Sequence, residues 1–456
     1  MNPSKIHLAL VAAGSCLALS APAFADAQSE QIKLLEERLE ASVQQIEKLS
    51  ARLSELERKG KSAPAGAAAA SAPTQTQAQS QTQTQTQTIA ALQDSVNQLA
   101  EGLGRHGTDT GLPVHGFADV GAAWSAGDDP IKLRGFNGGT LDLYLTPQFG
   151  DRVKGLVEIA LEYGSDGGPL AVDMERLQLG YTVSDALTVW LGRFHTPFGL
   201  WNTSFHHGAN LQTSITRPRF VDFEDKGGII PAHSVGVWGS GKTALGGGRL
   251  TYDAYVSNGP RIVGATLDFG AYTDNSANKM GGFNLGYQPG GKLAGLAVGV
   301  HAFGSTVTAY DKASAAINDT RLRMTGAYLG YDEHDWEIIG ETYQFANVNL
   351  GDNSRHASRA SFLQLGRTVM AWTPFVRFEN AALDPADNYF RSQASGRPYR
   401  RNAVGARYAL DAKSSFKLEL SNTRESAVDL IDDSGAIAPF TARSYRRGAF
   451  QYSVAF

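Results

Sequence analysis

From residue 114 onward, apolar and polar residues alternate with a period of two. Val153, Val157, Ile159 and Leu161 are interleaved with Lys154, Glu158 and Glu162, and Leu141, Leu143 and Leu145 with Asp142, Tyr144 and Thr146. Phe416, Leu418 and Leu420 alternate with Lys417, Glu419 and Ser421, and Val404, Ala406 and Tyr408 flank Arg407. A strand whose successive side chains point to opposite faces produces this pattern. Sixteen such segments are predicted, near 114–124, 139–149, 153–164, 173–183, 187–195, 233–239, 248–258, 282–289, 293–303, 321–332, 336–346, 359–366, 372–380, 401–410, 415–423 and 445–456. Their connections alternate between short turns, such as 150–152, 184–186 and 333–335, and long loops, such as 125–138, 196–232 and 381–400. Short turns on one rim and long loops on the other are expected of a barrel that crosses an outer membrane. The predicted fold class is therefore all-β: a 16-stranded antiparallel transmembrane β-barrel over 114–456, apolar outside and polar toward the lumen.

Before residue 114 the period changes. Ile32, Leu35, Leu39, Ser42, Ile46, Leu49, Leu53 and Leu56 follow steps of three and four, with charges between them. A stripe confined to these positions predicts a coiled coil over 26–59 rather than a helix packed on a globular core. Residues 60–88 are Ala, Pro and Ser followed by a Gln-Thr tract, which cannot bury a core and predicts a flexible linker. A shorter heptad run, Ile89, Leu92, Val96, Leu99 and Leu103, predicts a second coil over 89–104. The first residues carry Lys5, an apolar stretch from Ile6 to Leu19 and the small-x-small motif Ala23-Phe24-Ala25, so 1–25 is expected to be a secretory signal peptide. Cys16 as an acylated lipoprotein cysteine is the rival reading; Ala13-Gly14-Ser15 lacks the usual Leu. After cleavage no run approaches the ~20 apolar residues of a spanning helix.

Composition sharpens this division. Of the 50 Gly, 43 lie in 114–456, and all but one of the aromatic residues (Phe24) lie there too. A net charge of −4 from 41 bases and 45 acids lacks the basic excess of a nucleic-acid binder. A single Cys excludes an internal disulfide and a CxxC-type zinc site. Gly236 to Thr243 matches a P-loop string literally, but a P-loop needs a helix after it, and here a strand and turn follow. His195, His206 and His207 are close in sequence, yet no carboxylate or Cys stands at ligand spacing, so neither metal nor cofactor is expected. No G-x-S-x-G elbow is present, and the chain is not expected to be an enzyme.

The longest connection, 196–232, carries Arg217 and Arg219 beside Asp222, Glu224 and Asp225, with Phe198, Trp201, Phe220 and Phe223. A long loop this apolar is expected to pack on something, and a barrel interior is available. By strand parity Arg176, Arg321, Arg323, Arg377, Arg407 and Arg447 are expected to face the lumen, since a charge at the midplane of the lipid face costs about 2–4 kcal/mol. There they would either pair with lumen acids such as Glu158, Glu341 and Glu419 and stabilise the wall, or face the acids of the loop across a constriction. Residues 114–456 hold 32 bases against 34 acids, which favours neither arrangement.

Sixteen strands, a dominant third loop and a terminal Phe resemble the general trimeric porins, whose third loop folds inward and narrows the pore. More narrowly, Gly192-Arg193-Phe194-His195-Thr196-Pro197-Phe198-Gly199-Leu200 is similar to the stretch after strand five in the phosphate-selective porin (O/P type) superfamily, whose members often carry a coiled-coil arm. The alternation Phe450, Tyr452, Val454, Phe456 resembles the terminal strand that such barrels present to their assembly machinery. The resemblance implies a passive diffusion channel for small hydrophilic solutes, anionic ones included. It also implies a homotrimer in outer-membrane lipid of a Gram-negative bacterium, with the arm in the periplasm. The family's arginine ladder and phosphate-binding lysines have no counterparts that can be assigned residue by residue, so phosphate selectivity is not carried over. Two other readings are a tether, in which the coil binds peptidoglycan and the barrel only anchors, and a barrel-embedded hydrolase.

Overall fold

The computed structural model describes residues 114–162, 171–206, 210–223, 227–269 and 277–456. The stretches expected to form the signal peptide, the two coiled coils and the linker lie outside the described residues.

Sixteen strands form the barrel wall: β1 (Val114–Gly127), β2 (Thr140–Leu145), β3 (Val153–Glu162), β4 (Ala171–Ser184), β5 (Leu187–His195), β6 (His233–Leu245), β7 (Gly248–Asn258) and β8 (Lys279–Gln288) make one half. The other half is β9 (Leu296–Tyr310), β10 (Ala316–Glu333), β11 (Trp336–Asn349), β12 (Arg355–Arg367), β13 (Trp372–Ala382), β14 (Tyr399–Ala409), β15 (Ser414–Glu425) and β16 (Arg443–Ala455). Each strand pairs antiparallel with its sequence neighbours, and β1 closes the wall on β16 from Phe117 opposite Ala455 to Gly127 opposite Tyr445. Closure leaves no wall edge, so the strand backbone is satisfied within lipid. At the seam, Gly116 and Phe456 exchange both backbone hydrogen bonds, at 3.2 and 3.0 Å. A Cβ at Gly116 would lie 2.4 Å from the Phe456 ring, so only glycine lets the terminal aromatic seat there.

Strands reach further than the alternation alone predicts. β9 and β10 extend to Tyr310 and from Ala316, leaving five residues between them where a longer loop was expected. The P-loop-like string lies within β6, in extended backbone that cannot cradle a phosphate.

Two strands show how the faces are assigned. In β15, Ser415, Lys417, Glu419, Ser421, Thr423 and Glu425 are buried, whereas Phe416, Leu418 and Leu420 are exposed. In β13, Arg377 and Glu379 are buried between exposed Val376 and Phe378. This inverts the pattern of a water-soluble protein. Leu179, Val256, Phe378 and Val404 each expose more than half their surface, and a continuous apolar band of this kind is stable only against lipid. Aromatic residues gather at the short-turn rim, where Trp372 lies 4.7 Å from Tyr408 and Phe416 lies 5.0 Å from Tyr452 between ring centres. Amphipathic rings favour that membrane–water boundary.

The interior is not uniformly polar. Phe303, Leu322, Met324, Tyr343, Phe345 and Phe362 from the wall join Phe198, Trp201, Phe220, Ile229 and Ile230 of the 196–232 loop in one buried cluster. An inward-folded loop thus gives the barrel a hydrophobic core of its own.

Candidate functional site

The loop between β5 and β6 begins and ends at one point, since Thr196 N–H donates to Ala232 O at 2.8 Å. Between these ends it reaches across to the opposite wall. Gly199 turns the chain at φ +63°, and a Cβ there would lie 2.2 Å from Glu341 Oε2. Only glycine accepts both the left-handed backbone and the close approach. A one-turn helix, α1 (Trp201–Ser204), follows, with Trp201 buried edge-on against Phe362.

Wall carboxylates anchor the loop by its backbone. Glu341 Oε1 accepts from Leu200 N at 3.1 Å and from Trp201 N, while its Oε2 accepts from the Tyr343 hydroxyl. Glu419 Oε2 accepts from Ile215 N at 2.9 Å and Thr216 N at 3.1 Å. Glu379 Oε2 accepts from Arg219 N at 2.7 Å. Charge-assisted bonds of this type are about twice as strong as neutral ones.

Arg377 and Arg401 of the same wall, and Arg219 of the loop, complete the network. Arg377 is fully buried; its Nε donates to Glu379 Oε1 at 2.9 Å and its Nη atoms donate to Ser214 Oγ (3.0 Å), Thr216 O (2.8 Å) and Thr216 Oγ1 (2.8 Å). Arg401 Nη2 also donates to Thr216 Oγ1, at 2.7 Å, and that hydroxyl in turn donates to Glu419. Arg219 Nη2 lies 2.7 Å from Glu425 Oε1, and its guanidinium sits 4.6 Å over the Tyr399 ring. Buried charges are tolerated only with this degree of pairing.

Of the arginines expected in the lumen, Arg176, Arg377, Arg407 and Arg447 take inward positions. Arg176 pairs with Glu158, and Arg447 grips Asp129 with two bonds of 2.7 and 2.9 Å. Arg407 makes only a 3.4 Å contact to Asn210 Oδ1, and no salt bridge of Arg407 is found among the described residues. Arg321 and Arg323 are a correction. Both are exposed on the outward face of β10, while their neighbours Leu322 and Met324 turn inward into the core with the loop. The apolar loop demands an apolar inner wall here, and that reverses the parity. The cost is small because β10 has 18 residues, more than the ~9–11 that cross the hydrocarbon, and these arginines lie toward its long-loop end.

Within the loop, Arg217 lies 3.7 Å from buried Asp222 and donates to His206 O at 2.9 Å. Glu224 and Asp225 lie outside the described residues. Among the described residues Arg176, Arg377 and Arg401 meet wall acids, the latter two also backbone and hydroxyl groups of the 196–232 loop, and Arg447 meets Asp129 of the first long loop; none meets Asp222. Sequence spacing missed Arg401 and the anchoring role of Glu379. It also missed a cluster at the base of the loop, where His195 and His206 meet Glu175 of β4 and His233 of β6. His207 lies outside the described residues. Period-two parity marks Glu379 and Arg401 as inward but cannot show what they meet.

Phe450, Tyr452 and Val454 point outward along β16, alternating with inward Gln451 and buried Ser453.

No family model and no curated protein matches this sequence. Solved structures do. An anion-selective porin from Comamonas acidovorans is similar at 14% identity and a TM-score of 0.52, over 76% of this chain and 100% of that one. The outer membrane channel DcaP of Acinetobacter baumannii matches at 11% identity and 0.47, over 76% and 97%. An outer membrane protein of Vibrio cholerae, OmpT in its trimer form, matches at 12% and 0.47, over 75% and 99%. At these identities the likeness is one of fold: the chain shares the closed antiparallel barrel of outer-membrane porins.

Proposed function

We propose that this chain is an outer-membrane porin, a passive diffusion channel for small hydrophilic solutes in which the 196–232 loop forms the constriction. The observation that carries this reading is the loop itself, folded inward and fixed to the far wall by Glu341, Glu379 and Glu419. A barrel that served only as an anchor has no need of an internal strut held by buried ion pairs. Size selection follows from the loop, and charge selection from inward side chains that keep access to water. Arg407, half-buried and with no salt bridge among the described residues, is the inward arginine to which this reading assigns a preference for anions.

Conductance of the purified protein in planar bilayers tests this. Discrete channels should appear, and in a salt gradient Arg407→Gln should shift the reversal potential toward cations with conductance little changed. A folded barrel that conducts nothing would leave the tether reading, with the coiled coil binding peptidoglycan, in its place.

The same reading places the arm of residues 26–104 in the periplasm after removal of 1–25, and makes the channel a homotrimer. Similarity of the 192–200 stretch supports kinship with the O/P-type superfamily, and the outward Phe450-to-Phe456 alternation supports recognition by the barrel-assembly machinery. An epitope tag at 432–434, in the turn between two short strands of the last long loop (Val428–Ile431 and Ile437–Phe440), should be reached by antibody on intact cells. A tag near residue 86 should not. Unheated detergent samples should migrate as an oligomer that weakens on deletion of 26–103; a monomer at full length excludes the trimer.

A further inference from the structure

We propose that Glu175, His195, His206 and His233 form a binding site for a divalent first-row metal ion of the zinc type, placed where the loop meets the wall. Each residue offers one ligand atom, and these atoms all lie within 4.8 Å of one another. The four come from β4, the end of β5, the loop and the start of β6, so no local spacing joins them. Glu175, His206 and His233 are each at most 3% exposed.

Hydrogen bonding around the cluster sets its tautomers. The Asn202 amide donates through Nδ2 to Thr196 O at 2.8 Å and Ala232 O at 3.1 Å. Its Oδ1 must then accept, and it faces His206 Nδ1 at 2.7 Å. In the neutral ring the His206 proton is thereby placed on Nδ1 and the lone pair on Nε2, the arrangement by which a carbonyl oxygen orients a metal-binding imidazole. That lone pair points at His233 Nε2, 2.9 Å away. Glu175 Oε2 approaches the same nitrogen at 2.6 Å. One carboxylate oxygen and two imidazole nitrogens thus converge within the reach of a single cation. His195 offers the fourth ligand atom, within 4.8 Å of the other three. Its ring, centred 3.7 Å from that of His206, must swing aside to bind, because imidazoles on one tetrahedral ion hold their ring centres roughly 5 Å apart.

Three imidazoles and a carboxylate are a nitrogen–oxygen set suited to zinc. Bonds of ~2.0–2.1 Å in a tetrahedron place ligand atoms roughly 3.3 Å apart. The two close pairs would therefore open by less than about 1 Å. Two guanidiniums stand nearby, Arg193 at 3.7 Å from Glu175 and Arg176 on Glu158. Glu158, itself 3.4 Å from His195 Nε2, balances the second of them. Bound metal would clamp the loop, through His206, to three strands. This site does not depend on whether the barrel conducts.

The test is zinc uptake by the full-length protein refolded in detergent. After equilibration with zinc and passage through metal-free buffer, mass spectrometry of the metal should find about one ion per chain, and X-ray absorption should show imidazole and carboxylate ligands. His206→Gln and His233→Gln should each weaken zinc affinity at least tenfold in competition with a chelator. Folding of each variant is verified by its migration on unheated gels. His206→Gln, changed in a loop rather than a strand, keeps the test valid where His233→Gln does not fold. Substoichiometric zinc in the folded native protein, or native affinity in a folded variant, overturns the site and leaves a hydrogen-bonded wall cluster.

Discussion

Replacing residues 197–231 by an Asn-Gly turn should give a folded barrel with a single-channel conductance several-fold above native. The geometry permits the deletion because β5 and β6 are already hairpin neighbours. His195 pairs with His233, and Thr196 N–H bonds Ala232 O at 2.8 Å. A two-residue Asn-Gly connection suits antiparallel strands so placed. The variant loses the buried contacts of Phe198, Trp201 and Phe220 with Tyr343 and Phe362, so its unheated band should convert to the unfolded form at a lower temperature than native. Bilayer recordings and gel shifts read both effects. Native conductance in the folded variant would remove the loop from the role of constriction.

Arg377→Met should destabilise the barrel by about 3–5 kcal/mol, the cost of breaking a buried ion pair from one side. The guanidinium is fully buried and donates to Glu379, Ser214, Thr216 and Gln364. Its removal leaves Glu379 and Glu419 to Arg401, at 3.6 and 3.4 Å. Urea titration in micelles measures the loss. Adding Glu379→Gln to the same chain should recover part of it, because one of the two carboxylates left to share Arg401 is then neutral. A single-variant loss under about 1 kcal/mol would assign Arg377 to packing alone.

The loop's importance was legible in the sequence, but its attachments were not. Phe198, Trp201 and Phe220 in so long a connection announce a buried segment, and a barrel has only its lumen to offer. Nothing local announces that Ile215 and Thr216 will meet Glu419, about two hundred residues away. Likewise His195 and His206 stand near each other in the chain, whereas Glu175 and His233 reach them only because β4, β5 and β6 are adjacent in the wall.

By itself the sequence determined the barrel, its sixteen strands and the sorting of short and long connections. A lipid-facing strand must be apolar at every second residue and must end in polar turns, whatever else it does. Period two defines two faces, but it names the inner one only when the interior is water. In β15 the interior rule holds, with Lys417 and Glu419 inside and Leu418 and Leu420 outside. In β10 the loop had filled the interior with Phe198 and Phe220, so Leu322 and Met324 turned inward and Arg321 and Arg323 outward. Only the tertiary structure decided that, because the contents of the lumen are set by contacts between segments far apart in the chain, and burial of apolar surface there outweighs a charge placed on the outer wall beyond the lipid.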